Sequence, residues 1–154
     1  MTPYLLAGAL GGLIAFVLAI PAMVLEIMHR GTQENLPLVI DVKKVFGRTL
    51  NRYEIFEAAV FLHVVLGFLF GVVYVLFVER GWLVVTHAPF TFTSLLVYAV
   101  GAFIVVGAMI FPALGMGWFG RKEGTRVWLE ILISMLCNGI GLWLLVRWFS
   151  PWFF

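Results

Sequence analysis

Residues 92–116 read FTSLLVYAVGAFIVVGAMIFPALGM, a run of 25 residues with no Asp, Glu, Lys, Arg or His. As an α-helix the run is about 37 Å long at 1.5 Å per residue. About 20 apolar residues are enough to cross the hydrocarbon of a bilayer. The run is also unbroken, where a membrane-barrel strand would alternate over about ten residues. It therefore predicts a transmembrane helix over 92–116. Three other runs share its character. Residues 4–28 carry no charge before Glu26, and residues 53–78 are apolar apart from Glu54, Glu57 and His63. Residues 127–149 carry Glu130 near the start and Arg147 near the end. The expected fold is all-α and integral to a membrane: one transmembrane domain, 1–154, built as a four-helix bundle.

Composition excludes the competing classes. Of 154 residues, 63% are apolar and 12% are Asp, Glu, Lys or Arg, whereas soluble domains carry about 25% charge. So few charged groups cannot cover a water-facing surface. A disordered chain and a nucleic-acid binder with a basic face are excluded on the same ground, and the single Cys excludes a disulfide scaffold. No Lys or Arg precedes Arg30, so the first run lacks the basic flank of a signal peptide and is expected to remain a span.

The basic residues set the expected orientation. Arg30, Lys43, Lys44, Arg48, Arg52, Arg121, Lys122 and Arg126 fall between runs one and two or between runs three and four, and only Arg80 and Arg147 fall on the other side. Cytoplasmic loops of multi-pass proteins carry the excess of Lys and Arg. Both termini are thus expected outside the cytoplasm, in a bacterial inner membrane. Trp82, Trp118, Trp128, Trp148 and Trp152 fall at the span edges, the depth aromatic belts occupy. In the long connector, Leu38, Val39, Val42, Val45 and Phe46 recur at helical spacing, with Asp41, Lys43 and Lys44 between them. This pattern predicts a short amphipathic helix over 37–47 in the cytoplasmic interface. Lys43, Lys44, Arg48, Arg121, Lys122 and Arg126 are candidates for contact with anionic lipid.

The two halves echo each other. Runs one and three have glycines followed by a proline: Gly11, Gly12 and Pro21, then Gly101, Gly107 and Pro112. Runs two and four have a Glu near the start, Glu57 and Glu130, with small residues after it. A duplicated hairpin in parallel repeat is one reading; chance likeness among apolar helices is the other. Close backbone approach drives helix association in lipid, where burying apolar area gains little. Gly8, Gly12, Gly67, Gly71 and Gly141 are the expected packing positions.

Polar residues within spans are functional candidates because they cost free energy there. Glu26, His29, Glu57 and Glu130 all lie toward the same end of their runs, and His63 is about 9 Å deeper than Glu57 at 1.5 Å per residue. Glu26-x-x-His29 is the spacing used by di-iron carboxylate bundles, and carboxylate with imidazole suits Fe, Mn or Zn. Those bundles use two such pairs; here there is one. Three readings stay open: a metal site, a proton or substrate path, and interfacial groups that reach headgroups or pair with Arg30 and Arg126. His63, with Ala59 one turn before it and Gly67 one turn after it, leaves room for a flat ring such as haem or a chlorophyll-type pigment. A His hydrogen-bonded across helices is the preferred alternative. On the last run, Glu130, Ser134, Cys137, Asn138 and Gly141 form one small and polar stripe, expected to face the bundle. No Ser/His/Asp arrangement, phosphate loop or Cys pair is present, and Gly115, Gly117, Gly120 and Gly124 read as turn residues.

Gly12-Leu13-Ile14-Ala15, Leu62-His63-Val64-Val65-Leu66-Gly67 and Gly101-Ala102-Phe103 leading to Pro112 resemble segments of small uncharacterised bacterial four-span membrane proteins, a domain of unknown function. The resemblance implies a four-helix membrane fold and no activity. In such proteins a His often stands at the start of the last span, where this chain has Glu130. The leading functional expectation is a non-catalytic accessory or structural subunit of a larger membrane complex, bound to lipids and to other membrane subunits or copies of itself, and not to nucleic acid. The alternatives are a metal-, haem- or pigment-binding protein and a small proton or solute carrier.

Overall fold

A computed structural model describes residues 3–29, 44–45, 48–83, 85–122 and 124–153, without the side chains of residues 22, 25–29, 44–45, 48–49, 52 and 149–153. Four helices dominate it: α1 (Pro3–His29), α2 (Arg52–Glu79), α3 (Phe92–Ala113) and α4 (Val127–Phe153). Each contains a stretch long and apolar enough to cross a membrane. Their outer faces carry large apolar side chains, among them Leu13, Phe61, Met109 and Leu144, and Trp82, Trp118, Trp128 and Trp148 are all exposed.

The connector differs from the expectation of a helix over 37–47. Lys44–Val45 and Arg48–Thr49 pair as a two-residue antiparallel ladder, with Lys44 opposite Thr49 and Val45 opposite Arg48. β-branched Val45 and Thr49 suit extended backbone, and Gly47 is a poor helix residue, so a tight reversal competes well with one more helical turn. Residues 37–43 lie outside the described residues.

The helix ends follow from local chemistry. Asn51 caps α2 in a capping box: its side chain accepts from the Glu54 N–H (3.0 Å), and its own N–H donates to the Glu54 carboxylate (2.8 Å). Two donors that no intrahelical carbonyl can reach are thereby satisfied. Thr91 caps α3 by accepting from the Ser94 N–H. Residues 92–116 do not stay helical to their end. The N–H of Gly115 donates to the Pro112 carbonyl and that of Met116 to the Phe111 carbonyl, while Gly115 takes φ +83°. This paired reversal needs a left-handed residue, which glycine adopts without strain. It stops the helix at Ala113 and turns Met116 inward, where it is buried. At the other end of the chain, α4 runs on through Pro151 to Phe153, past the expected limit at 149. A proline so near a helix end frees only one carbonyl, which surrounding water or headgroups can take.

Within α3 the backbone changes pitch. Phe92–Val105 is α-helical, Val106–Ile110 is a π-helical turn, and Phe111–Ala113 closes the helix. The cause is Pro112, which has no N–H and would press its ring on the carbonyl one turn earlier. The wider turn, with the Phe111 N–H reaching the Val106 carbonyl, relieves that pressure.

α1 packs chiefly on α2, α3 chiefly on α4, and α1 also touches α4. The α1–α2 seam is backbone on backbone. A side chain at Gly71 would strike the Ala7 carbonyl, and one at Gly11 would strike the Gly67 carbonyl. A Cβ on Gly139 of α4 would sit 3.0 Å from the Ala99 methyl of α3 and 3.1 Å from the Leu95 carbonyl.

Candidate functional site

By contrast, α2 and α3, though consecutive, hardly touch along their backbones. Aromatic side chains bridge them. The Tyr98 ring meets the edges of Phe70 (4.8 Å between centroids), Tyr74 (5.1 Å) and Phe77 (5.7 Å). Tyr74 is fully buried; its hydroxyl accepts from the Phe90 N–H (2.8 Å) and shares a hydrogen bond with the Ser94 hydroxyl (2.9 Å). The Tyr98 hydroxyl donates to the Phe70 carbonyl (3.0 Å). Beside these rings the helices leave a cleft of about 570 Å³, almost wholly apolar in lining. Exposed Leu69, Val97, Gly101 and Val105 mark its open side. Nothing lies within 4 Å of where a Gly101 side chain would begin.

Behind the cleft, and sharing Leu66, Phe70, Val106 and Met135 with it, is a second space of about 20 Å³. His63, Ser134 and Asn138 make it polar. His63 lies beside the backbone of Ala15 on α1. Asn138 is 4% exposed, and its amide N–H donates to the Ser134 carbonyl (3.0 Å). His63 Nε2 and Asn138 Oδ1 are both buried without a hydrogen-bond partner. The faces flanking His63 are filled by α1: Ala59 packs with Ala19, and Gly67 lies against Gly11 and Ala15. Ala59 and Gly67, one turn before and one turn after His63, thus lie against the neighbouring helix.

The other residues singled out from sequence are dispersed. Glu57 is exposed on α2, and Glu130 is half-buried at the start of α4. Glu54 serves the cap of α2. The side chains of Glu26 and His29 lie outside the described residues, as does Lys43. Among the described residues no three His, Cys, Asp or Glu side chains come together as metal ligands. Arg121, Lys122 and Arg126 are exposed, while Lys44 and Arg48 belong to the ladder. Gly8 approaches the Phe68 and Val72 side chains, Gly12 makes only ordinary contact with Phe68, and Gly141 faces Ile14. Gly11 and Gly139, which a search for paired glycines four apart does not favour, sit against neighbouring backbone. Arg147 stacks over Trp143, 5.8 Å from the ring centroid, and the Tyr4 hydroxyl donates to the Glu79 carboxylate.

The chain matches no family model, no curated protein and no solved structure.

Proposed function

We propose that the protein is a non-catalytic subunit of a bacterial inner-membrane complex, with both termini outside the cytoplasm, and that its α2–α3 cleft receives a transmembrane helix of another subunit. The observation that carries this reading is the open, apolar cleft with bare Gly101 on its rim. Small residues on a membrane helix let a second backbone come close. Gly11, Gly71 and Gly139 have that role inside the bundle, but Gly101 has no neighbour of its own. A lipid tail adapts to any side chain and has no need of a glycine. A partner helix does. The side chains on the open side, Leu69, Val97 and Val105, offer the apolar contact that would flank such a crossing.

A photoreactive phenylalanine analogue at Val105, activated in intact cells, tests the reading. The expected result is one discrete adduct with another membrane protein. That adduct should disappear when Gly101→Leu is added, although the double variant keeps its thermal midpoint in detergent. Adducts confined to lipid or to a second copy of the chain, or an adduct indifferent to Gly101→Leu, would overturn the proposal.

A further inference from the structure

The small polar space between α2 and α4 presents a problem in hydrogen-bond chemistry. His63 Nε2 is buried without a partner, and the neutral ring offers there a lone pair or an N–H according to tautomer. The Ser134 carbonyl only accepts, which fixes the Asn138 amide: Nδ2 points at Ser134 and Oδ1 is left without a donor. Both residues line the same small cavity, and each buried unpaired polar group costs about 1–3 kcal/mol. Reversing the asparagine amide would set two acceptors against each other at Ser134 and lose the bond made there.

A small molecule that can both donate and accept resolves both sites. The cavity measures about 20 Å³, and one water needs roughly 10–15 Å³ on this scale, together with two to four polar partners. We infer that this pocket binds a single water, which donates to Asn138 Oδ1 and shares a second hydrogen bond with His63 Nε2. The water completes a polar link between two helices: the His63 ring on α2 and the Asn138 amide on α4. It lies near mid-span in both α2 (Tyr53–Glu79) and α4 (Val127–Trp148), where bulk water does not reach. Leu66, Phe70, Val106 and Met135 divide it from the apolar cleft.

Magic-angle-spinning NMR of histidine-¹⁵N-labelled protein in liposomes tests this, with polarisation transferred from water protons. His63→Gln assigns the signal by removing it. The expected spectrum shows His63 Nε2 receiving polarisation from water. Asn138→Leu, which fills the cavity, should abolish that transfer. An Nε2 that gains nothing from water while exposed His87 does would overturn the inference. The wild-type spectrum decides the matter even where Asn138→Leu does not fold.

Discussion

Tyr74 shows how much one side chain can fix in this protein. Its hydroxyl holds the Phe90 N–H and the Ser94 hydroxyl together, so it pins the end of the α2–α3 connection where the two helices otherwise part. Tyr74→Phe keeps the ring contacts and strands two polar groups. The expected loss is about 1–3 kcal/mol, the cost of leaving buried polar groups unpaired. A denaturant titration in mixed micelles would show it as an earlier midpoint. Gly71→Val should also cost about 1–3 kcal/mol, for an overpacked contact, because the group it meets is the Ala7 carbonyl and cannot swing aside. A result for Gly71→Val within experimental error of wild type would mean that the α1–α2 seam is looser than described. At this scale the sequence is partly legible. Ser134 and Asn138 fall on one helical stripe and both are buried. That His63 faces them is not legible, because periodicity gives the face of a helix and not the identity of its neighbour. Gly11 is not singled out as a packing position for a related reason: a spacing of four selects Gly8 and Gly12, while the actual close approach depends on where α2 crosses.

At the scale of elements, Pro112, Gly107 and Phe119 work as one device. Pro112 imposes the π turn Val106–Ile110, and Gly107 lies within it, where any side chain would run into the Phe119 ring. Phe119 also stacks beside Phe103, 5.1 Å between centroids, and holds a left-handed backbone (φ 51°, ψ 31°). A non-glycine residue in that region costs of order 1–3 kcal/mol and persists only where its surroundings hold it. The ring seated against Gly107 is that hold. Gly107→Val should therefore release Phe119 and loosen the turn that carries exposed Arg121 and Lys122. Trypsin should then cut there several-fold faster in detergent than in wild type, while sites elsewhere keep their rates. Equal rates would show that the turn does not depend on the Phe119 seat. Pro112 is plain in the sequence, and a proline inside a helix disturbs the turn before it. Whether that turn bends or widens into a π turn is not legible, because the two answers to a proline share one sequence pattern. At the described end of the connector, Lys44–Val45 and Arg48–Thr49 pair instead of continuing the helical spacing of Leu38 to Phe46, in keeping with β-branched Val45 and Thr49.

For the whole molecule, hydropathy locates the four long apolar helices of the described residues well, since a run of about 20 apolar residues is legible whatever its neighbours do. It carries no information on crossing geometry, so the splay of α2 from α3 and the cleft it creates were not legible. Charge asymmetry does bear on the molecule as a whole, because it acts during insertion rather than through packing. Eight of the ten basic residues fall in the two connectors at one end of the helices, Arg30 to Arg52 and Arg121 to Arg126. The proposed orientation puts those connectors in the cytoplasm and Ser150 outside. Replacing the lone cysteine, as Cys137→Ala, and adding Ser150→Cys gives one thiol with which to check it. A membrane-impermeant maleimide should label that thiol once the outer membrane is permeabilised, with the inner membrane intact. Neutralising Lys43, Lys44, Arg48, Arg121 and Lys122 to Gln leaves three basic residues against two across the membrane, and labelling should then fall as part of the population inserts inverted. If Ser150→Cys reacts only after the inner membrane is opened, the orientation is reversed, and the distribution of Lys and Arg does not govern insertion of this chain.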